Sequence, residues 1–183
     1  MPEPILQPEK FKEGGRGEFI GVIINADYGE APLGIAGRPE FQLQRDGTAR
    51  KQVAFEIKVV SGLETEKTQK QLLAPSDVKY SKMYYWIQAL NDTGAVKEIE
   101  IKGLTEDEKW LSFAKSHIGM QFRFEDKTDL EGVGFETDAS GKPVLDESGR
   151  RVRRKIRMLV PVEYFGKAQL ETKVETEKVS EVD

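Results

Sequence analysis

Six of the eight residues from Arg150 to Arg157 are basic: Arg150, Arg151, Arg153, Arg154, Lys155 and Arg157. In a strand, alternation puts Arg151, Arg153, Lys155 and Arg157 on one face. Val152, Ile156, Met158 and Val160 then share the other, interrupted only by Arg154. The four cations repeat about every 6.6 Å, twice the rise per residue. That repeat is close to the phosphate spacing of an extended single strand. Such a row binds polyanions through charge, with an affinity that falls as salt rises. The competing reading is an edge strand guarded by like charge against aggregation. A self-repelling row needs a reason to be kept, which puts polyanion binding slightly ahead.

A second chemistry is aromatic. Tyr28, Phe41 and Phe135 fall in two long connections, with Arg38, Arg45, Arg50 and Lys51 near the first. Loop aromatics beside cations can stack bases, or each can plug its own loop. Tyr84, Tyr85 and Trp86 are consecutive on a predicted helix that turns about 100° per residue. With Trp86 in the core, Tyr85 projects nearly opposite and Tyr84 sits at the boundary, as rim tyrosines do. Arg123, on another predicted strand, adds a further cation.

The residue types that most catalysis requires are scarce. The chain has 183 residues, no cysteine and one histidine, His117. Disulfides, thiolate zinc sites, thiol nucleophiles and multi-histidine metal sites are therefore excluded. His117 stands beside a helix stop, where the expected role is a partner for the helix dipole. Gly14-Gly15-Arg16-Gly17 lacks the lysine and the preceding strand of a phosphate loop. The carboxylates Asp126, Asp129, Glu131, Asp138 and Asp146 do not match the twelve-residue calcium loop and read as turn formers. The expectation is a non-catalytic protein with no cofactor and no metal.

The elements that position these residues come in a definite order. Residues 1–16 hold three prolines and read as a flexible leader. Phe19–Ile24 is a β-branched run, as in a strand covered on both faces. Asn25–Arg50 is a long connection, with a short strand expected around Phe41–Leu43. Val53, Phe55, Ile57 and Val59 alternate inward, and Gln71–Ala74 makes a brief strand. Ser81 can cap a helix to about Leu90, with Met83, Trp86, Ile87 and Leu90 facing the core. Thr105-Glu106-Asp107-Glu108 is a capping box. It opens a second helix with Trp110, Leu111, Ala114 and Ile118 on one side. Met120, Phe122 and Phe124 alternate inward. Asp126–Arg150 is a second excursion, read as a projecting hairpin with two similar turns at Asp138–Gly141 and Asp146–Gly149. Val152–Tyr164 is the last strand. Residues 17–166 form one domain, and residues 167–183 an acidic flexible tail.

Charge agrees with a local basic site. Net charge is −4. Residues 163–183 carry six acids against Lys167, Lys173 and Lys178, or −3, which leaves −1 for the rest. A nearly neutral body binds polyanions only where its cations cluster. The 33% charged fraction exceeds the usual ~25% and is compatible with a thermophilic source. No apolar run approaches the ~18 residues of a membrane helix, and the N-terminus has no signal-peptide pattern. The expected location is cytoplasmic, in the host cytoplasm for a viral gene.

The layout is mainly β with one or two helices (α+β): strand, long loop, strand, strand, helical segment, strand, long loop, strand. In this it resembles the OB-fold single-stranded-DNA-binding proteins of phages, archaea and their viruses. The resemblance covers about Glu18–Gly166 and rests on Phe19–Ile24, Val53–Val59, Ser81–Leu90, Gly119–Glu125 and Val152–Val160, with a charged tail. It implies a five-stranded antiparallel OB-like barrel, with its helix between strands three and four and its binding loops after strands one and four. It further implies single-stranded nucleic acid as the partner, DNA ahead of RNA, in DNA replication. Arg151, Arg153, Lys155, Arg157, Arg123, Arg50, Lys51 and Arg45 would contact phosphates; Tyr28, Phe41 or Phe135 would stack bases. The acidic tail would reach protein partners or compete for the basic groove, although it lacks the apolar tip of bacterial-type tails. Self-association into homo-oligomers is open. The alternative is a viral or phage assembly protein using a β-barrel and extended arms for protein contacts. A third, weaker reading is a barrel that binds a small molecule.

Overall fold

The computed structural model describes residues 17–30, 50–62 and 68–168. The leader, the strand expected at Phe41–Leu43 and nearly all of the tail lie outside them. Five strands form one antiparallel sheet: β1 (Glu18–Glu30), β2 (Lys51–Ser61), β3 (Thr68–Leu73), β4 (Met120–Phe135) and β5 (Arg153–Lys167). Two helices, α1 (Lys82–Thr93) and α2 (Glu106–Lys115), lie between β3 and β4, joined through a short 3-10 turn at Ala95–Glu98. The fold is mainly β with two helices, as the sequence predicts.

Sheet order is β3-β2-β1-β4-β5. β1 is longer than the predicted Phe19–Ile24 because it serves two neighbours. It pairs with β2 from Ile20 to Glu30, and with β4 only from Glu18 to Val22. Its register shifts between Ile20 and Gly21 and again between Ile23 and Asn25, as bulges do. Gly21 allows the bend, because a Cβ there would lie 2.6 Å from Ile57 Cγ2. Beyond their five shared positions, β1 and β4 run on in opposite directions.

The edges of the sheet, β3 and β5, have no backbone ladder between them. Their one described hydrogen bond comes from a side chain: the Leu159 N–H donates to Gln71 Oε1 at 2.8 Å. Both residues are buried. Gln71 also donates to the Leu72 carbonyl. One glutamine thus satisfies a β5 amide on the side of the strand away from β4, where no strand pairs with it.

The inward faces follow the alternation. Val53, Phe55, Ile57, Val59, Met120, Phe122 and Phe124 are all fully buried. On α1, Met83, Trp86 and Leu90 are buried and Ile87 is half-buried. Ser81 Oγ caps it by accepting from the Tyr84 N–H, and Gly94 in the left-handed region ends it. The Thr105/Glu108 capping box is present on α2. There, Phe113 and Ala114 face inward, whereas Leu111 is 39% exposed and does not.

His117 does meet the C-terminal end of α2, but from inside the core and as a neutral ring, so it brings no charge to the helix dipole. It is fully buried among Phe55, Trp86 and Phe113. Nδ1 donates to the Phe113 carbonyl at 2.8 Å, which leaves Nε2 as acceptor for the Trp86 indole N–H at 3.1 Å. Burial pushes the imidazole down to about 4.

Two outcomes follow. Gln71→Ala leaves the Leu159 amide buried without a partner and should cost about 1–3 kcal/mol in urea denaturation. The second concerns pH. The unfolded chain protonates His117 near 6.5, and the folded chain only near 4. The stabilisation from the neutral imidazole is therefore complete above about 6.5 and is lost as pH falls towards 4. At about 1.4 kcal/mol per tenfold, it amounts to roughly 3 kcal/mol. Stability measured from pH 7 to 4 should fall less steeply in His117→Gln than in the parent.

Candidate nucleic-acid interface

The basic segment does not lie as one regular row. β5 starts at Arg153, and Arg151 stands before it in an isolated bridge with Leu145. β4 continues to Phe135, so Asp126–Phe135 is strand and the excursion begins only at Glu136. The β4–β5 register shifts between Lys127 and Leu130 and between Glu131 and Phe135. Gly132 permits the close approach there: a Cβ would sit 2.7 Å from Ile156 Cγ2 and 3.0 Å from the Arg154 carbonyl. The extra residues of both shifts lie in β4, so they change what stands opposite successive cations of β5. The apolar side also departs from simple alternation, since Met158, Leu159, Val160 and Pro161 are all buried.

The projecting segment is a small meander. The Val144 N–H donates to the Glu136 carbonyl, and the Val144 carbonyl accepts from Val152. Its two turns repeat one design. Asp138 Oδ1 accepts from the Ser140 amide and hydroxyl and the Lys142 amide; Asp146 Oδ1 does the same with Ser148 and Arg150. These bonds, first those from the serine hydroxyls, hold both carboxyls below their usual range.

Hydrogen bonding sorts the cations. Arg157 is committed to Asp126 in a bidentate pair, with contacts of 2.6, 3.1 and 3.1 Å. The Asp126 side chain is 2% exposed, and the pair raises the guanidinium pKa. Arg123 is equally engaged, with Glu18 at 2.7 Å, Glu163 at 3.2 Å and Glu125 at 3.5 Å. Arg154 Nε donates to the Phe135 carbonyl at 3.1 Å but remains exposed. Lys155 lies opposite Glu131 in the register and is exposed.

Arg151 and Arg153 do something different. The Arg151 guanidinium lies 4.4 Å from the centre of the Phe135 ring. Arg153 lies 4.7 Å from the same ring and 4.5 Å from that of Tyr80. Lys79 Nζ lies 5.1 Å from the Tyr80 ring. The order Lys79, Tyr80, Arg153, Phe135, Arg151 alternates cation and ring, each pair within cation–π range. Tyr84 and Tyr85 extend the aromatic surface, both in ring contact with Tyr80. The Tyr85 hydroxyl donates to the Glu131 carbonyl at 2.6 Å. Burial, then the nearby Glu131 carboxylate, raises its pKa.

Tyr80 has a φ of 73°, the one non-glycine residue among those described with a positive value. It is the third residue of a turn closed by the Ser81 N–H on the Val78 carbonyl. That position ordinarily calls for glycine or asparagine. Sequence reasoning missed Tyr80, which precedes the Ser81 helix cap and carries no periodic signal.

The remaining candidates lie elsewhere. Tyr28 is in β1 instead of a loop. Its hydroxyl donates to Asp107 on α2 at 2.9 Å, and Lys51 pairs with the same carboxylate at 2.7 Å. Burial, then that bond, pushes the Tyr28 phenol up to about 12. The two residues clamp α2 to the β1–β2 end of the sheet. Arg50 is exposed just before β2. Arg45 and Phe41 lie outside the described residues.

Searches against protein-family models, curated proteins and solved structures return no match for this chain. The reading therefore rests on the site itself. Among the described residues, no helix is long and apolar enough to cross a membrane, and no three His, Cys, Asp or Glu side chains group as a metal site.

Proposed function

We propose that this chain is a non-catalytic single-stranded nucleic-acid-binding protein whose sheet is an OB-like barrel left open between β3 and β5. The carrying observation is the alternation of cations and rings from Lys79 to Arg151. A single strand offers phosphates and unpaired base faces in alternation, and such a surface meets both. A duplex hides its base faces. Arg151, Arg153, Arg154 and Lys155 contact phosphates, and Tyr80 and Phe135 present ring faces. Arg123, Arg157, Tyr28 and Lys51 hold the fold. The Gln71–Leu159 bond supports the barrel reading, because a sheet of this order closes only if its β3 and β5 edges meet. DNA, a cytoplasmic setting and a replication role belong to the same reading.

Fluorescence anisotropy tests it, with a labelled oligothymidine of about 16 nucleotides against duplex of equal length. The single strand should bind more tightly. Its log affinity should fall with log salt at a slope near −3 for about four phosphates. Arg154→Ala with Lys155→Ala should reduce that slope by about 1.4. Absence of binding at low salt removes the proposal.

One observation favours the assembly reading. Leu104 is 95% and Ile101 61% exposed. Yet their loop is pinned to α2: the Lys102 N–H donates to Ser112 Oγ, and the Leu104 N–H to Glu108 Oε1. A fixed loop presenting bare aliphatics suits a protein contact. If so, sedimentation velocity shows concentration-dependent oligomers that Leu104→Ser abolishes; a monomer at all concentrations excludes self-assembly through this loop.

A further inference from the structure

In the bridge from Tyr80 through Arg153 to Phe135 the cation is held more loosely by its polar partners than Arg157 and Arg123 are by theirs. Arg153 Nη1 donates to the Gly132 and Val133 carbonyls at 3.4 and 3.3 Å, both beyond the usual N–H···O range. Its ion pair with Glu131 is 3.8 Å. Arg157, four residues on, has a contact of 2.6 Å to a buried carboxylate. The Arg153 guanidinium is thus placed mainly by its two rings.

Those rings are themselves well held. Tyr80 is fixed by a left-handed backbone that a tyrosine adopts only when its surroundings impose it. Its ring packs against Tyr84 and Tyr85 at 6.1 and 6.5 Å, and Tyr85 is tied to β4 through the Glu131 carbonyl. Phe135 ends β4, paired with Arg153 in the register. The guanidinium is planar, delocalised and weakly hydrated, so it stacks much as a base does. Its separations of 4.5 and 4.7 Å are also those at which flat rings stack, from about 4.5 Å upward.

We propose that Tyr80 and Phe135 form a ready-made slot for one nucleobase, which the Arg153 guanidinium fills in the free protein and vacates on binding. The inference rests on the nucleic-acid reading and specifies its central subsite. The incoming base takes the two ring faces. Arg153 gives up its long bonds and turns to the adjacent phosphate, so a stacking contact is exchanged while the charge stays in use. The slot selects for unpaired bases, because a paired base cannot enter between two rings. It does not discriminate among bases, since ring faces read none of their edges.

The test uses the full chain and an oligothymidine of about 16 nucleotides carrying one central 2-aminopurine. Binding of the parent should quench the 2-aminopurine, as stacking between rings does. Tyr80→Leu and Phe135→Leu should each abolish the quenching and weaken binding on the order of tenfold. Tyr80→Phe should restore both, which separates loss of the ring from loss of the fold, and circular dichroism checks each variant. Arg153→Ala should keep the quenching while the salt slope falls by about 0.7. If the strand binds with its salt dependence intact and both leucine variants still quench, the slot is not the base site and the phosphate-binding reading survives alone. If Arg153→Ala abolishes the quenching, the arginine is part of the bound stack and the exchange is wrong. If the parent does not bind at low salt, the slot and the wider reading fall together.

Discussion

The hydrogen bond between the Trp86 indole and the His117 imidazole joins the helical layer to itself at the centre of the core. Both side chains are fully buried, and neither has water to fall back on. Trp86 comes from α1; His117 follows α2 and bonds back to Phe113 on it. Phe55 of β2 lies against both rings at 4.8 and 4.5 Å, and Phe124 of β4 against the indole at 6.4 Å. Two helices and two strands thus share one polar contact. Only a neutral histidine can accept from the indole, so the contact requires the low proton affinity that burial imposes. The start of α1 follows from where Trp86 is fixed, and with it the positions of Tyr84, Tyr85 and the Tyr80 turn.

Much of this architecture is legible in the sequence where one rule acts alone. Alternation placed Val53–Val59 and Met120–Phe124 correctly, because each inner face meets one continuous core. The Ser81 cap and the Thr105–Glu108 box are local chemistry and appear as expected. Legibility failed where two neighbours compete for a strand. β1 needs bulges to satisfy β2 along its length and β4 at its start, and periodicity carries no mark of that. The same holds at Arg151–Arg157. Counting alternate residues predicts one face, but the partners that β4 and the Tyr80 turn place beside each cation are rings, carboxylates or solvent, and alternation carries no mark of them. Helical spacing groups Leu111 with Trp110, Ala114 and Ile118, yet Leu111 is exposed: α2 is clamped at its first turn by Tyr28 and Lys51, and Phe113 and Ala114 face the sheet.

For the candidate site, the sequence carried the charges and the structure separates their uses. Six basic residues in eight is a compositional signal, and it cannot distinguish an arginine locked on a buried carboxylate from one resting on a ring. Arg157 and Arg153 are two positions apart in the same alternation, yet one has a side-chain partner that is 2% exposed and the other one that is 53% exposed. An ion pair with a buried carboxylate cannot be given up without stranding a charge. A pair at 3.8 Å whose carboxylate is exposed can, because solvent compensates that carboxylate. Availability to a ligand is therefore a property of the partner more than of the cation.

The same reasoning gives the Tyr80 backbone its weight. A left-handed tyrosine costs on the order of 1–3 kcal/mol relative to relaxed backbone. A glycine would fit this turn without that cost. The turn closes with the same Ser81 bond whatever its third residue, so strain is not needed to start α1. What the tyrosine adds is its ring, with Arg153 and Lys79 on it and Tyr84 and Tyr85 beside it. Exposed cation–π contacts contribute about 0.5–1 kcal/mol each. The ring pairs with Tyr84 and Tyr85 add about 0.5–1.5 kcal/mol each, so together these contacts match or exceed the strain and hold the ring in place. The strain is thus spent on setting a ring face rigidly beside cations that are not committed to buried carboxylates, an arrangement that glycine could not provide.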